Sequence, residues 1–179
     1  ALYDANYAGA DLSGVDFSRV ALSGANLTGA KLERCKFDDA RLTGAKLSGA
    51  NLEGASFVGA DLSQADLSKT TLAGATFEKA IMNDTNLALA EGSKASLRGA
   101  SGQRTSFAEG RWREASFEGA ELGFADFSRA DVSACSFEKA KLTSARFADS
   151  RGAGPEFPIA ELDQPTFVGA TMSRAKFEE

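Results

Sequence analysis

A five-residue register runs through the whole chain and restricts its fold more than any other feature. Stepping by five from Leu2 gives 36 positions, here called the centres, and 33 of them hold a large apolar residue. Two residues before each centre lies a second column, which holds Ala at 24 of its 35 positions. All 45 charged residues lie in the other three columns. The centres and the small-residue column are therefore predicted to face inward, and the remaining columns to face solvent.

A period of five fits neither an α-helix nor a simple alternating strand. It fits a chain that turns a corner every five residues, with a short extended segment between corners. The residue two after each centre is Gly in 13 of the 36 repeats, which is typical of a tight turn with positive φ. Four such corners close a square coil of 20 residues, so the chain is predicted to make about nine coils.

Two patterns at a spacing of 20 residues support this coil length. The Phe residues at the centres fall into two ladders on opposite faces, one beginning at Tyr7 and the other at Phe17. Charged residues 20 positions apart are opposite in sign in 18 of 20 pairs, which favours attraction between neighbouring coils. Examples are Asp11 with Lys31, Arg19 with Asp39, Arg41 with Asp61, Glu91 with Arg111, and Lys94 with Glu114.

Composition excludes several classes of function. The chain has no His and only two Cys, so it lacks the commonest general base and the commonest zinc ligand. We expect no catalytic residue, no cofactor and no metal site, and hence no enzymatic activity in this segment. Cys35 and Cys135 are five coils apart, too far for a disulfide, and are predicted to be small buried residues. The net charge of -5 argues against direct nucleic-acid binding, and no apolar run is long enough for a membrane span.

The repeats Ala10-Asp11-Leu12-Ser13-Gly14, Ala25-Asn26-Leu27-Thr28-Gly29 and Ala50-Asn51-Leu52-Glu53-Gly54 share the pattern A-[DN]-L-x-x. In this pattern, sustained over essentially the whole chain, the sequence resembles the pentapeptide-repeat family. The resemblance implies an all-β fold, a right-handed quadrilateral parallel β-helix. At the Asp or Asn position, side chains are expected to bond nearby backbone groups.

One repeat domain, residues 1–179, is expected, as a segment of a larger protein. Its regularity is predicted to change along the chain: regular over 1–88, irregular over 89–113, and a wider, Phe-rich half over 114–179. Corner glycines become rare after Gly99, which predicts different turn types in the second half. The prolines between Pro155 and Pro165 predict a local distortion of the hydrogen-bond ladder, because proline has no amide donor.

Seven residues are candidates for contact with a partner. Leu89, Phe124 and Ile159 are apolar residues in an outward corner column, and Trp112 lies among three arginines. Two interpretations of Trp112 stay open: its ring fills the space left by Gly92 one coil away, or it swings outward as a binding hot spot. The seven are Leu89, Arg104, Arg111, Trp112, Arg113, Phe124 and Ile159.

The leading hypothesis for function is a non-catalytic scaffold that binds a protein within a bacterial multidomain protein, such as a secretion-system effector or adaptor. The resemblance offers an alternative, a DNA mimic that binds DNA gyrase or topoisomerase IV and protects them from quinolones. Stacked charges of opposite sign weigh against mimicry, which needs like charges along the rod. A catalytic domain elsewhere in the parent chain also stays open. We expect a cytoplasmic location, or export with a parent protein, and a homodimer through uncapped terminal coils.

Overall fold

The computed structural model describes residues 1–177, which form one continuous four-sided coil. Parallel bridges join residues 20 positions apart, from Asn6 with Asn26 at one end to Glu156 with Lys176 at the other. Each bridging residue directly precedes a centre, so every side of the coil adds one short extended segment to a parallel sheet. The predicted fold class, an all-β fold that forms a parallel β-helix with 20 residues per coil, is confirmed.

Only two segments of the described chain are long enough to be strands rather than single bridges. These are β1 (Arg151–Ala153) and β2 (Thr171–Ser173), which pair in parallel with Gly152 opposite Met172. Both lie on the same side of the coil, one above the other. Each side of the rod is thus a narrow sheet whose strands come from successive coils.

The four side walls are named after their first centres, and each wall includes the centres that follow at intervals of 20 residues. They are the Leu2 face, the Tyr7 face, the Leu12 face and the Phe17 face. A corner separates each face from the next, at the residue two after the centre. This naming fixes the place of every outward side chain along the rod.

Backbone hydrogen bonds tie each coil to its neighbours and close each corner. The amide of Leu47 donates to the carbonyl of Asp66 at 2.7 Å, and the amide of Ala50 closes a turn on the carbonyl of Leu47 at 3.0 Å. The amide just after a centre lies outside this ladder, and an Asp or Asn before the centre accepts from it: Ser68 N donates to Asp66 Oδ1 at 3.0 Å. This local bond accounts for the recurrence of Asp and Asn at that position. Similar bonds are accepted by Asn6, Asp11, Asp16, Asn26, Asn51, Asp61, Asn86, Asp126 and Asp131.

The sign of φ at the corners is the same along the described chain. The residue two after the centre has positive φ whether it is Gly or not, from +51° at Asp4 to +73° at Gly14. Where the amide three residues on closes the corner, this is the sign pattern of a type II turn; Pro155 and Pro165 have no amide hydrogen, so their corners lack that bond. Non-glycine residues of the second half, such as Ala134 (+54°), keep this positive φ, while the prediction of different turn types there stays a prediction.

The interior is filled by the predicted columns. Leu47, Phe57 and Phe127 are fully buried, as are most centres away from the two ends of the described chain. Aromatic rings stack coil on coil, with ring centroids 4.9 Å apart for Phe37 and Phe57 and 4.8 Å apart for Phe127 and Phe147. The greater width expected for 114–179 stays a prediction, and its last two residues lie outside the described residues.

The prolines do not distort the ladder, contrary to the sequence-based expectation. Pro155 and Pro165 are in the small-residue column, whose amides only close a corner, and Pro158 follows a centre, where the amide is not part of the ladder. Their carbonyls remain available: Pro155 accepts from Lys176 N at 3.0 Å and Pro158 accepts from Lys139 N at 3.0 Å. Proline at these positions removes no bond between coils.

Candidate functional site

The three apolar corner residues are exposed, but the fold does not bring them together. Leu89, Phe124 and Ile159 have exposed fractions of 46%, 56% and 58%. Leu89 lies on the corner after the Tyr7 face, Phe124 on the corner after the Leu2 face, and Ile159 on the corner after the Phe17 face. A single apolar contact patch made of these residues is therefore excluded, and each stays a candidate contact by itself.

Trp112 lies inside the rod, so the interpretation in which its ring swings outward is wrong. Its side chain is fully buried, and its indole Nε1 donates to the carbonyl of Phe107 at 3.3 Å. A Cβ added at Gly92 or Gly110 would overlap the ring. The two glycines thus leave the volume that the indole occupies, as predicted for Gly92. Trp112 is a core residue rather than part of a binding surface.

Arg104 belongs to a corner and not to the surroundings of Trp112. Its guanidinium makes a two-pronged pair with Asp84 one coil away, at 2.7 Å from Nε and 2.8 Å from Nη2. This pair lowers the pKa of the Asp84 carboxyl and raises that of Arg104. Phe124 occupies the same corner one coil further along. Arg104 is therefore a neighbour of Phe124, on a different side of the rod from Arg111 and Arg113.

Arg111 and Arg113 lie on the Leu12 face, on either side of the buried Trp112. Asp131 lies one coil further and pairs in the parallel ladder with Arg151 of β1, two coils from Arg111. Arg113 donates from Nε to Asp131 Oδ2 at 2.8 Å, and Arg151 Nε lies 3.5 Å from the same oxygen. Arg111 Nη1 pairs with Glu91 Oε1 at 3.2 Å. We call Arg111, Arg113 and Arg151 the arginine cluster.

Asp131 is the group on which the cluster is built. It is 2% exposed, and its Oδ1 accepts from both the amide (3.1 Å) and the hydroxyl (2.6 Å) of Ser133. Burial raises the pKa of this carboxyl, but the bonds from Ser133 and Arg113 outweigh burial and hold the pKa below its usual value. A buried ionised carboxylate therefore anchors two guanidinium groups. Sequence reasoning missed Asp131 and Arg151, although the alternating charges at 91, 111, 131 and 151 were a signal that joined them.

Two shallow depressions mark the surface of the described chain. One, of about 310 Å³, is lined by the arginine cluster with Glu91 and Ser93. The other, of about 240 Å³, lies beside Phe124 on the Leu2 face. It is also lined by Gln103, Glu121, Gly123, Lys141 and Thr143. Both are open to solvent, and neither has the depth of an enclosed catalytic cleft.

The two thiols of the described chain lie in the core, away from solvent. Cys35 Sγ donates to the carbonyl of Leu12 at 3.0 Å and Cys135 Sγ to that of Trp112 at 2.7 Å. Both thiols are free and buried, and burial raises the pKa of each, so neither is an activated nucleophile. In the same residues, no group of three or more His, Cys, Asp or Glu is arranged to hold a metal ion. The described part of the chain also contains no helix that could cross a membrane.

Ion pairs follow the stacking that the sequence predicted. Ten of the twelve ion pairs among the described residues join side chains 20 positions apart. The pair Asp11 with Lys31 forms at 3.4 Å. Arg41 and Asp61 do not form an ion pair; instead Asp61 accepts from the hydroxyl of Thr43 at 3.2 Å. Most stacked opposite charges on the rod neutralise one another.

Comparison with known proteins gives one matching sequence family, described as pentapeptide repeats, with eight copies. The matches cover residues 2–34, 35–74, 72–101, 103–133 and 120–151. No curated protein matches the sequence significantly.

Several solved structures are similar to this chain. HetL from the cyanobacterium Nostoc, a pentapeptide repeat protein involved in regulation of heterocyst differentiation, is 20% identical over 96% of this chain and 88% of its own, with a TM-score of 0.44. A trypsin-treated variant of QnrB1, a plasmid-mediated fluoroquinolone resistance protein, is 19% identical over 94% and 89%, with a TM-score of 0.49. A thylakoid-lumen pentapeptide repeat protein of Arabidopsis thaliana is 35% identical over 63% and 68%, with a TM-score of 0.36.

Proposed function

Since this chain belongs to the pentapeptide-repeat family, whose fold is a right-handed quadrilateral β-helix, we propose that it is a non-catalytic scaffold that binds a protein on its side walls. The observation that carries this proposal is the filled interior. Leu, Phe and Trp side chains occupy the inside of the coil. A catalysed reaction therefore has no enclosed space there from which water is excluded. The outer surface of the rod is the part available for binding a partner.

The surface is well suited to present groups at fixed spacing. Every corner within residues 1–177 has positive φ at the residue two after its centre, and the coils in this range are bonded to one another along all four walls. Outward side chains therefore stand in rows whose spacing is that of β-strands, about 4.8 Å. A rigid array of this kind binds a partner without losing much conformational entropy.

DNA mimicry is the alternative function, and charge pairing argues against it. A mimic of the phosphate backbone needs rows of uncompensated negative charge. Here Arg104 compensates Asp84, Arg111 compensates Glu91 and Lys141 compensates Glu121. The net charge of -5 is thus a small excess over paired charges, which favours the scaffold.

We further propose that the rod is part of a bacterial multidomain protein, such as a secretion-system effector or adaptor. It would then act in the cytoplasm or be exported with its parent. Homodimerisation through the terminal coils belongs to the same proposal. Cell fractionation with an antibody against the rod tests the location, and light scattering of the purified chain measures the oligomeric state.

Site-specific photo-crosslinking in the native cell tests the scaffold function. A photoreactive amino acid is placed on one wall at a time. We expect a discrete cross-linked species from at least one wall and none from the chain without the photoreactive residue. Adducts from no wall, or the same diffuse pattern from all four, would contradict the proposal. Suitable positions are Gln103, Ala108, Ser93 and Val58, on the Leu2, Tyr7, Leu12 and Phe17 faces.

A supercoiling assay with DNA gyrase tests the alternative. We expect micromolar concentrations of the chain to leave gyrase activity and its sensitivity to quinolones unchanged. Inhibition of supercoiling or protection from the drug would favour mimicry over the scaffold.

A further inference from the structure

The arginine cluster of the Leu12 face carries more positive charge than its carboxylates neutralise. Three guanidinium groups, those of Arg111, Arg113 and Arg151, face two carboxylates, Glu91 and Asp131. One positive charge is left over on a rod that is acidic as a whole. This surplus distinguishes the cluster from Arg104 with Asp84, which is a one-to-one pair.

The way in which the arginines are held leaves donors facing outward. Arg113 and Arg151 both approach Asp131 with Nε, and within residues 1–177 no hydrogen bond engages their terminal nitrogens. Their side chains are 61% and 67% exposed, whereas Asp131 is 2% exposed. The buried carboxylate thus accepts a hydrogen bond from the inner edge of Arg113 and forms an ion pair with the inner edge of Arg151, which leaves the outer edge of each guanidinium for another acceptor. Such a planar fork suits an oxyanion, either carboxylate or phosphate.

The three arginines surround one depression. They line it together with Glu91 and Ser93, and its volume of about 310 Å³ can hold an anionic side chain. The Ser133 hydroxyl, which bonds Asp131, also accepts from the amide of Ala153 at 3.2 Å. This bond ties the anchor of the cluster to β1.

We propose that this depression is an oxyanion-binding site that receives an acidic side chain, carboxylate or phosphorylated, of a protein partner. The inference rests on the proposed scaffold function for the nature of the partner. A nucleic acid fits less well, because one surplus charge is a small footprint for a polyanion and the acidic rod repels it. The site would use the pre-positioned guanidinium groups to fix the orientation of the partner on the Leu12 face.

Nuclear magnetic resonance of the arginine side chains tests the site directly. Sodium phosphate and sodium acetate are titrated separately at constant ionic strength while the Nε–H signals are followed. We expect saturable shifts of Arg111, Arg113 and Arg151. Arg129, which pairs with Glu109 on the corner after the Tyr7 face, should show no saturable shift. The anion that binds more tightly identifies the group the partner carries. Equal, non-saturating drifts of all arginines with both salts would overturn the proposal.

Matched substitutions sharpen this test. Glu91→Gln removes a competing carboxylate and should tighten anion binding by about two- to fivefold. The control Glu109→Gln removes a carboxylate from Arg129 and should leave binding at the cluster unchanged. Arg113→Gln should weaken it by about tenfold or more, because a charged donor is lost. Equal effects of the two glutamate variants would show a general charge effect and overturn the site.

The class of partner is tested with larger probes. A hexaglutamate peptide should shift the same three arginines at lower concentration than acetate does, because further carboxylates follow the first. A twelve-base-pair DNA duplex should not. Tighter binding of the duplex would overturn the assignment to an acidic protein segment. Silent titrations together with positive cross-linking would remove this site and leave the scaffold function intact.

Discussion

In the N-terminal half of the rod a single Phe stack faces a column of Leu, whereas in the C-terminal half two Phe stacks face each other. Phe57 stacks on rings above and below it and meets no ring across the core. Phe137 stacks in the same way and also meets Phe127 and Phe147 edge to face, with centroids 5.6 and 5.8 Å apart. The backbone repeats at 20 residues in both halves. The same coil therefore accepts two different interiors.

The two halves also differ in the residues that occupy their corners. Corner glycines are common up to Gly99 and rare afterwards, yet φ at Ala134 is +54° and at Gly74 is +65°. A non-glycine residue with positive φ costs about 1 kcal/mol. The second half carries this cost more often, and its edge-to-face ring contacts, worth about 0.5 to 1.5 kcal/mol each, offset it.

Truncation of a core ring should give the largest effect and should be larger in the second half. Phe57→Ala should cost about 3 to 5 kcal/mol of unfolding free energy. Phe137→Ala should cost about 1 kcal/mol more, because two edge-to-face contacts are also lost. Denaturant unfolding followed by tryptophan fluorescence and circular dichroism measures both. Ser48→Ala, on the outer surface, should be nearly neutral, and equal losses for all three variants would contradict the assignment of inside and outside.

The junction of the halves depends on the space left by Gly92. Gly92→Ala places a methyl group into the Trp112 ring and should cost about 1 to 3 kcal/mol through overpacking. The double variant Gly92→Ala with Trp112→Leu should be less destabilised than the sum of the single variants, as thermal unfolding can show. Strict additivity would mean that the two residues do not share one volume.

Corner substitutions should have opposite signs in the two halves. Gly74→Ala meets no atom within 4 Å, so its effect is the positive φ alone, and it should destabilise by about 1 kcal/mol. Ala134→Gly should stabilise by a similar or smaller amount, since Gly also gains freedom in the unfolded chain. Thermal melts of both variants give the sign. Destabilisation by both would show that corners after Gly99 are not strained.

Acid should produce the smallest effect, and Asp131 should account for the part of it that belongs to the second half. Because the pKa of Asp131 lies below its unfolded value near 3.8, the carboxylate stabilises the fold above that value. The stabilisation disappears as the pH falls through the lower, folded pKa. Stability measured from about pH 5 to about pH 2 should therefore decline less steeply in Asp131→Asn. An unchanged slope would mean that Ser133 and Arg113 do not lower the pKa of Asp131 in solution.

The sequence was sufficient to predict the coil, the buried columns and the stacking of charges, because each follows from one register that every residue obeys. Leu47 and Phe57 were predicted to be buried because their column holds no charged residue. The effect of the prolines was mispredicted because the sequence does not show which backbone amides bond between coils. That depends on the three-dimensional path of the chain, and Pro158 occupies a position whose amide makes no inter-coil bond. Stacked charge alone did not decide ion pairing, since Asp61 bonds Thr43 rather than Arg41.

The candidate site was predicted only in part, for a geometric reason. Neighbours in sequence such as Arg104 and Arg111 lie on different walls, whereas Arg113 and Arg151, 38 residues apart in the sequence, meet at Asp131. Grouping by position within the 20-residue coil would have joined the cluster. Grouping by nearness along the chain instead suggested a patch around Trp112, whose ring is buried.

The uniform spacing of the inter-coil bonds has a mechanical consequence. Within residues 1–177, the backbone of each coil is bonded only to the coils directly before and after it, so a pulling force on the backbone meets one coil at a time. Under tension the rod should lengthen in equal steps, each releasing 20 residues or about 65 Å of chain. The extension of the rod under force would then report how many of its coils have unfolded.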